Sequence, residues 1–277
     1  MTVEEFQKKY CDESTCIHEI FYSIDRGCPK CGGKDFYPLK KRRAYVCNKC
    51  LYHLYPLKGT IFENSKTPLK KWFYAIYLFS VSKNGVSAAE LQRHLGVTYK
   101  TAWRIGHKIR QLFIENKDKL NGIVEIDETY VGGKGYNQRF KPYKERKEVL
   151  FGMVERNGRV RISHVPNNGA RTLINQINTN IEKGSSIMSD EYFGYKKLSE
   201  LGYDHKAIMH KKKYVDGDVY TNTIEGFWAR LKKSLHGTYN CVSPKYLQDY
   251  ANEFSFYRNH SDDPFSYLIS KAEKPLQ

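Results

Sequence analysis

The stretch GIVEIDETYVGGK (122–134) decides how this chain is read. Ile123, Val124 and Ile126 give it the branched apolar content of a strand, and the closing Gly-Gly-Lys marks a turn. Asp127 falls within that strand or at its end. Moving outward, EVLFGMVERNGRVRISHV (148–165) reads as two strands joined at Asn157-Gly158, a dipeptide that supplies the positive φ of a tight hairpin. Residues 170–182 place Leu173, Ile174, Ile177 and Ile181 on one helical side. SSIMSDEYFGY (185–195) reads as a short buried strand ending at Asp190, then a turn. TNTIEGFWARLKKSLHGTY (221–239) reads as a helix capped near Thr221 or Asn222. Its inward residues are Ile224, Phe227, Trp228 and Leu231, and Glu225 lies in its first turns.

The resulting order is strand with Asp, hairpin, helix, strand with Asp, then helix with Glu. It predicts an α/β, ribonuclease-H-like domain over 119–265, a mixed sheet flanked by helices, with 266–277 left as a tail. Two aspartates would sit on neighbouring strands, and a helix carboxylate would complete a cluster. Three carboxylates can hold two hard cations about 4 Å apart. Oxygen ligands suit Mg²⁺, with Mn²⁺ as a substitute. Among 30 Asp and Glu, any one acid alone reads as a surface residue or a cap. The joint placement of Asp127, Asp190 and Glu225 is what carries the expectation.

Two modules precede this domain, after a mixed N-terminal segment at 1–22. The first, at 23–60, contains CPKCGGKDFYPLKKRRAYVCNKC (28–50). Each C-x-x-C is a knuckle that aims two thiolates at one ion, and a hairpin between them brings Cys28, Cys31, Cys47 and Cys50 into one tetrahedral zinc site. His53 is a weaker competitor, and Cys11, Cys16 and Cys241 read as ordinary thiols. Lys40, Lys41, Arg42 and Arg43 fall on the hairpin tip, where a phosphate contact and a solvated charge run are equally good readings.

The second module, at 61–118, reads as a helix-turn-helix. Pro68 suits a first helical turn. Ser87 with Glu90 makes a Ser-x-x-Glu cap for a short helix, Gly96 ends it, and Thr98 caps the next. That second helix shows Tyr99, Lys100, Arg104, His107 and Lys108 among its polar positions, with Ala102, Trp103, Ile105 and Ile109 expected on the core side. A recognition helix in a major groove has this layout. A net charge of +16 favours a polyanionic partner, DNA first. No apolar run approaches a membrane span, and no leader is read at the start. Paired cysteines with metal spacing imply a reducing, cytoplasmic setting.

Together, the zinc ribbon, the helix-turn-helix, VEIDETYVGGK, SDEYFGYKKL and TNTIEGFWARLKKSLHGTY resemble bacterial insertion-sequence DDE transposases of the Merlin-related, zinc-ribbon type, over about residues 20–260. The resemblance implies a D-D-E triad of Asp127, Asp190 and Glu225, with Lys232 two turns further along the same helix face as a phosphate contact. Asn222 is the alternative third ligand, because some relatives use Asn there. Glu125, Glu128 and Glu191 are bystanders or support groups in this reading. The implied activity is binding of terminal inverted repeats by a homo-oligomer, metal-dependent cleavage, and joining of 3′-hydroxyls to target DNA by a nucleoid-associated protein. Two alternatives stay open: a non-catalytic DNA-binding regulator, and a ribonuclease-H-like nuclease or resolvase that cuts without joining.

Overall fold

Alternation along one strand builds both faces of the larger sheet. In the computed structural model, which describes residues 1–23, 27–39, 42–115, 118–132, 147–208, 220–260 and 262–274, that strand is β4 (Ile123–Val131). (β1–β3 and α1–α5 precede it and are described below.) Lys40 and Lys41, and Gly133 and Lys134 of the expected turn, lie outside the described residues. β4 pairs antiparallel with β5 (Glu148–Glu155) and parallel with β7 (Ser186–Asp190). β6 (Val160–Val165) flanks β5 and β8 (Asp204–Ile208) flanks β7, giving the order β6-β5-β4-β7-β8. This mixed sheet with helices on both faces fits a ribonuclease-H-like domain. The β5–β6 turn has Asn157 at φ 61°, the left-handed conformation the Asn-Gly signal asks for. β8 has no counterpart in the sequence reading.

On one face, Val124, Ile126, Phe151 and Ile187 pack under Leu173 and Ile177 of α6 (Ala170–Asn180). On the other, Leu150, Val154, Val160 and Ile162 pack under Ile224, Phe227, Trp228 and Leu231 of α7 (Asn222–Gly237). Leu247, Tyr250 and Phe254 of α8 (Leu247–Asn259) complete that second layer. Each such side chain contributes roughly 1.5–3 kcal/mol when taken fully out of water. Odd-numbered β4 residues from Glu125 to Val131 therefore face α7, which fixes what Glu125 and Asp127 can touch.

The chain divides into two compact units, one of Lys83–Gly85 with Phe113–Ser261, the other of Met1–Ser82, Val86–Leu112 and Asp262–Gln277. The second unit holds a three-stranded antiparallel sheet of β1 (Phe36–Pro38), β2 (Tyr45–Cys47) and β3 (His53–Leu54). Phe21, from α2 (Glu13–Tyr22), stacks on Tyr45 at 3.7 Å. Around α3 (Leu69–Val81), whose buried face carries Trp72, Phe73, Ile76 and Phe79, gather α1 (Val3–Lys9), α4 (Ala88–Leu95) and α5 (Tyr99–Arg110). Residues 264–272, mostly read as a tail, form α9 (Pro264–Ala272). Asp263 caps it, and Phe265 lies 5.9 Å from Phe6 and 5.7 Å from Tyr10.

Candidate active site and metal centre

Asp127 and Asp190 come near each other because β4 and β7 run in parallel register. Glu125 pairs with Met188, each aspartate lies two residues further along its own strand, and the Asp190 charge acts on Asp127. Burial raises Asp127 to about 7, and the charges of Glu128 and Asp190 add to that rise. The opposing pull is led by a hydrogen bond from Trp228 Nε1 to Asp127 Oδ2 at 3.0 Å, with the Glu128 backbone N–H adding to it. Gly152 makes room for it. This glycine is the β5 partner of Asp127, and a Cβ there would stand 2.5 Å from the Trp228 ring and 2.7 Å from Ile224. Asp190 is half-buried, and its Oδ1 accepts the Tyr192 N–H at 3.0 Å. Glu128, on the opposite face of β4, accepts the Tyr195 hydroxyl. Burial, with the Asp190 charge behind it, raises Glu128 despite that bond.

Glu225 is exposed in the first turn of α7, and its Oε1 accepts the Thr221 hydroxyl at 3.0 Å. Asn222 is the exposed first residue of the helix and Lys232 is half-buried along it. Among the described residues, one group of three or more His, Cys, Asp and Glu side chains has all its ligand atoms within 4.8 Å of one another, and it is the four cysteines. Asp127, Asp190 and Glu225 are thus not drawn together to that distance. The acid pair fits a divalent cation in one respect, since crowded half-buried carboxylates oppose each other's ionisation until a cation is shared.

The cysteine group fits zinc more fully. Cys28 and Cys50 sulfurs lie 3.5 Å apart, and Cys31 and Cys47 sulfurs 3.6 Å apart. A tetrahedron with Zn–S bonds of about 2.3 Å needs sulfurs about 3.8 Å apart. Burial opposes ionisation of Cys28, but N–H groups of Lys30 and Cys31 and the Cys50 thiol bring it down to about 7. Cys50 is pushed up to about 12 by burial and by its thiol neighbours. Four crowded thiols cannot all ionise without a cation among them.

On α5, Tyr99, Lys100 and Arg104 are exposed. Trp103, expected in the core, is 37% exposed instead, its ring 4.1 Å from that of His107. The buried stripe is Ala102, Ile105, Gly106 and Ile109, and Trp103 lies about 100° round the helix from Ala102. His107 is lowered to about 4 by burial and by Arg110, so it is neutral near pH 7. Lys108 donates to the Ile61 carbonyl at 3.0 Å. Arg43 donates to the carbonyls of Ser65 and Thr67 and pairs with Glu13 at 2.6 Å, whereas Arg42 is exposed.

Sequence reasoning missed Glu125. Treated there as a bystander, it is completely buried beneath the start of α7 and accepts four hydrogen bonds. Gly152 was also missed, although an isolated glycine inside a strand signals a close approach.

The five-stranded mixed sheet fits a ribonuclease-H-like domain and carries an aspartate on each of two adjoining strands. The ISXO2-like transposase domain matches residues 119–259, just over half of the chain, and the chain belongs to that family. It is also similar to an uncharacterized protein in transposable element ISH50 of Halobacterium salinarum, 27% identical over 252 residues that cover 83% of this chain and 84% of that protein. Comparison with solved structures finds a chain from the cryo-EM structure of a simian T-cell lymphotropic virus intasome in complex with PP2A regulatory subunit B56 gamma. Identity is 19%, with 66% of this chain and 65% of that chain covered, and the TM-score is 0.31. The match spans less than two thirds of that chain, and the fold rests on the strand order instead. No helix among the described residues is long and apolar enough to cross a membrane.

Proposed function

We propose that this transposase binds the inverted-repeat ends of an insertion sequence, cuts them, and joins their 3′-hydroxyls to target DNA in a divalent-metal-dependent reaction. The observation that carries this reading is the Asp127–Asp190 pair, with Asp127 held near 7 by burial and acidic neighbours. Asp127, Asp190 and Glu225 would hold two Mg²⁺ or Mn²⁺ ions, with Asn222 as the alternative third ligand. When bound, such ions activate the attacking hydroxyl and stabilise the leaving oxygen. The chain's own part is orientation. Trp228 fixes one oxygen of Asp127, leaving Oδ1 free of that bond. Glu225 lies on the exposed first turn of a helix anchored at its start. Lys232, two turns on, is set to meet a phosphate of the DNA end.

Delivery of the DNA falls to the other unit. The turn between α4 and α5 has Gly96 in the left-handed region, and Ser87 and Thr98 cap the two helices. Such a helix pair suits a major groove, with Tyr99, Lys100 and Arg104 reaching the DNA and Trp103 and His107 packed beside them. Arg43 and Lys108 hold their own unit together, so any DNA contact of theirs would be secondary, while Arg42 remains a phosphate contact. One structural Zn²⁺ on Cys28, Cys31, Cys47 and Cys50 would rigidify the ribbon. The protein would act as a homo-oligomer, in the cytoplasm and on the nucleoid.

The test is a strand-transfer assay with cognate element ends, target DNA and Mg²⁺. Joined products are expected, and both cutting and joining should vanish in Asp127→Ala and Asp190→Ala. Cut ends without joined molecules would mark a nuclease. Cleavage that survives both substitutions would end this reading.

A further inference from the structure

The start of α7 is not capped from within its own segment. Thr221, at the cap position, makes no side-chain bond to the helix backbone. The cap comes from a strand instead. Glu125 Oε2 accepts the backbone N–H groups of Thr223 at 2.9 Å and Ile224 at 3.2 Å. Its Oε1 accepts the Thr223 hydroxyl at 2.9 Å and Arg156 Nε at 3.1 Å. Arg156 in turn donates to the Tyr220 carbonyl at 3.1 Å, and its guanidinium lies 3.6 Å over the Tyr220 ring. One turn into the helix, Trp228 and Ile224 settle against the bare backbone of Gly152. A charged clamp at the first turn and a notch under the second therefore locate α7, and the Trp228–Asp127 bond sits beside the notch.

We propose that Glu125 is a positioning residue, which with Arg156 and the Gly152 notch sets the axial register of α7 and so the place of Glu225 relative to Asp127. This rests on the reading of Asp127 and Glu225 as metal ligands. The physical reason is specificity. A buried ion pair adds little net stability over an apolar substitute, but it satisfies its hydrogen bonds in one arrangement only. A slip of one residue would translate the helix about 1.5 Å and turn it about 100°. Glu225 would then change its place relative to Asp127, while the apolar face could still find partial cover. Glu125 needs no contact with DNA or metal to act this way.

The experiment titrates Mn²⁺ alone into the full-length protein and follows tryptophan quenching, because Trp228 touches Asp127. The component lost in Asp127→Asn isolates the site. In Glu125→Gln and in Gly152→Ala, the Mn²⁺ affinity of that component should fall about 10–100-fold, the range for residues that orient ligands. The turnover rate of strand transfer should fall in parallel, with affinity for the DNA ends unchanged. Arg156→Lys, which keeps the charge but loses the planar stack on Tyr220, should give a smaller fall. Ile177→Val, in the core of the opposite sheet face, should lower the melting temperature and leave Mn²⁺ affinity alone. Should Glu125→Gln not fold, Gly152→Ala and Arg156→Lys probe the same seating of α7. Wild-type Mn²⁺ affinity in the folded variants would overturn the proposal, as would a loss that only tracks melting temperature. If the wild type shows no Asp127-dependent quenching, the reading of the acids as metal ligands is what fails.

Discussion

Glu125 and Asp127 lie two residues apart on one face of β4, under the same helix, and they live in opposite electrostatic surroundings. Glu125 is completely buried, yet both its oxygens are filled by donors, one of them a guanidinium. Asp127 keeps partial access to solvent, and its donors, the Trp228 indole and the Glu128 backbone N–H, are both uncharged and set against two acidic neighbours. Burial alone does not decide what a carboxylate does. The acid with matched partners holds the framework, and the acid left short of positive charge is the one we propose receives a cation. Positions 125 and 127 divide structure from chemistry along about 7 Å of strand.

The largest effect that could break this contrast is at Asp127. Asp127→Asn should lower strand transfer by about 10³-fold, since a charged ligand is lost at the reacting centre. The same substitution should stabilise the metal-free protein in alkali. Native Asp127 keeps its proton up to about pH 7, while the unfolded chain releases it near 3.8. Its contribution is therefore full below pH 3.8 and lost as pH rises through about 7. Ionising it in place costs up to ~4 kcal/mol. Urea unfolding midpoints without metal should fall between pH 4 and 8 in the wild type and fall less in Asp127→Asn. Adding Mg²⁺ at pH 8 should restore the wild type and leave the variant unmoved.

Glu125→Ala should do the reverse. It strands the Arg156 guanidinium and two backbone N–H groups, at a cost of about 3–5 kcal/mol. Differential scanning fluorimetry would show it as a large drop in melting temperature. A stability close to that of the wild type would deny Glu125 its framework role and erase the contrast. A milder change, Trp228→Phe, keeps the packing and removes the side-chain donor to Asp127. The hydrogen bond to an ionised oxygen contributes about 1.5–3 kcal/mol, so the midpoint of the Asp127 titration, followed by carboxyl-selective NMR, should move further up.

The smallest effect belongs to the other unit. Glu273 is raised to about 7 by burial first, then by the Glu19 charge, against a bond from Ser23. Its contribution is full below the unfolded value of 4.5 and fades as pH passes through about 7. Glu273→Gln should thus flatten the alkaline loss of stability without altering Mn²⁺ binding. If that substitution changed metal affinity, the division between the two acids on β4 would not be the organising feature.

Four of the five strands of the larger sheet were legible because short apolar runs and the Asn157-Gly158 turn are local signals. The caps at Ser87 and Thr98 were legible for the same reason. Asp127 and Asp190 could be placed on strands because short apolar runs lead into both, although Asp127 lies in the middle of its strand and only Asp190 ends one. Trp103 misled because apolar character was taken for burial, whereas Gly106 occupies the stripe that buries it. α9 was missed because a short helix after a run of polar residues has little pattern of its own. Its Asp263-Pro264 start was the available sign. The five residues of β8, three of them exposed and only Ile208 buried, alternate poorly. Glu125 was beyond local reading altogether, since its partners Arg156 and Thr223 are distant in sequence and only the folded sheet brings them to it. The four cysteines show the opposite extreme, a site whose spacing alone placed its ligand atoms within 4.8 Å.

The most direct test of the central claim is anomalous X-ray scattering from Mn²⁺ in crystals of the full chain. The prediction is a peak in contact with both Asp127 and Asp190, with Glu125 still bound to Arg156 and the start of α7. A peak elsewhere, or one that draws Glu125 from its partners into the ligand set, would contradict it.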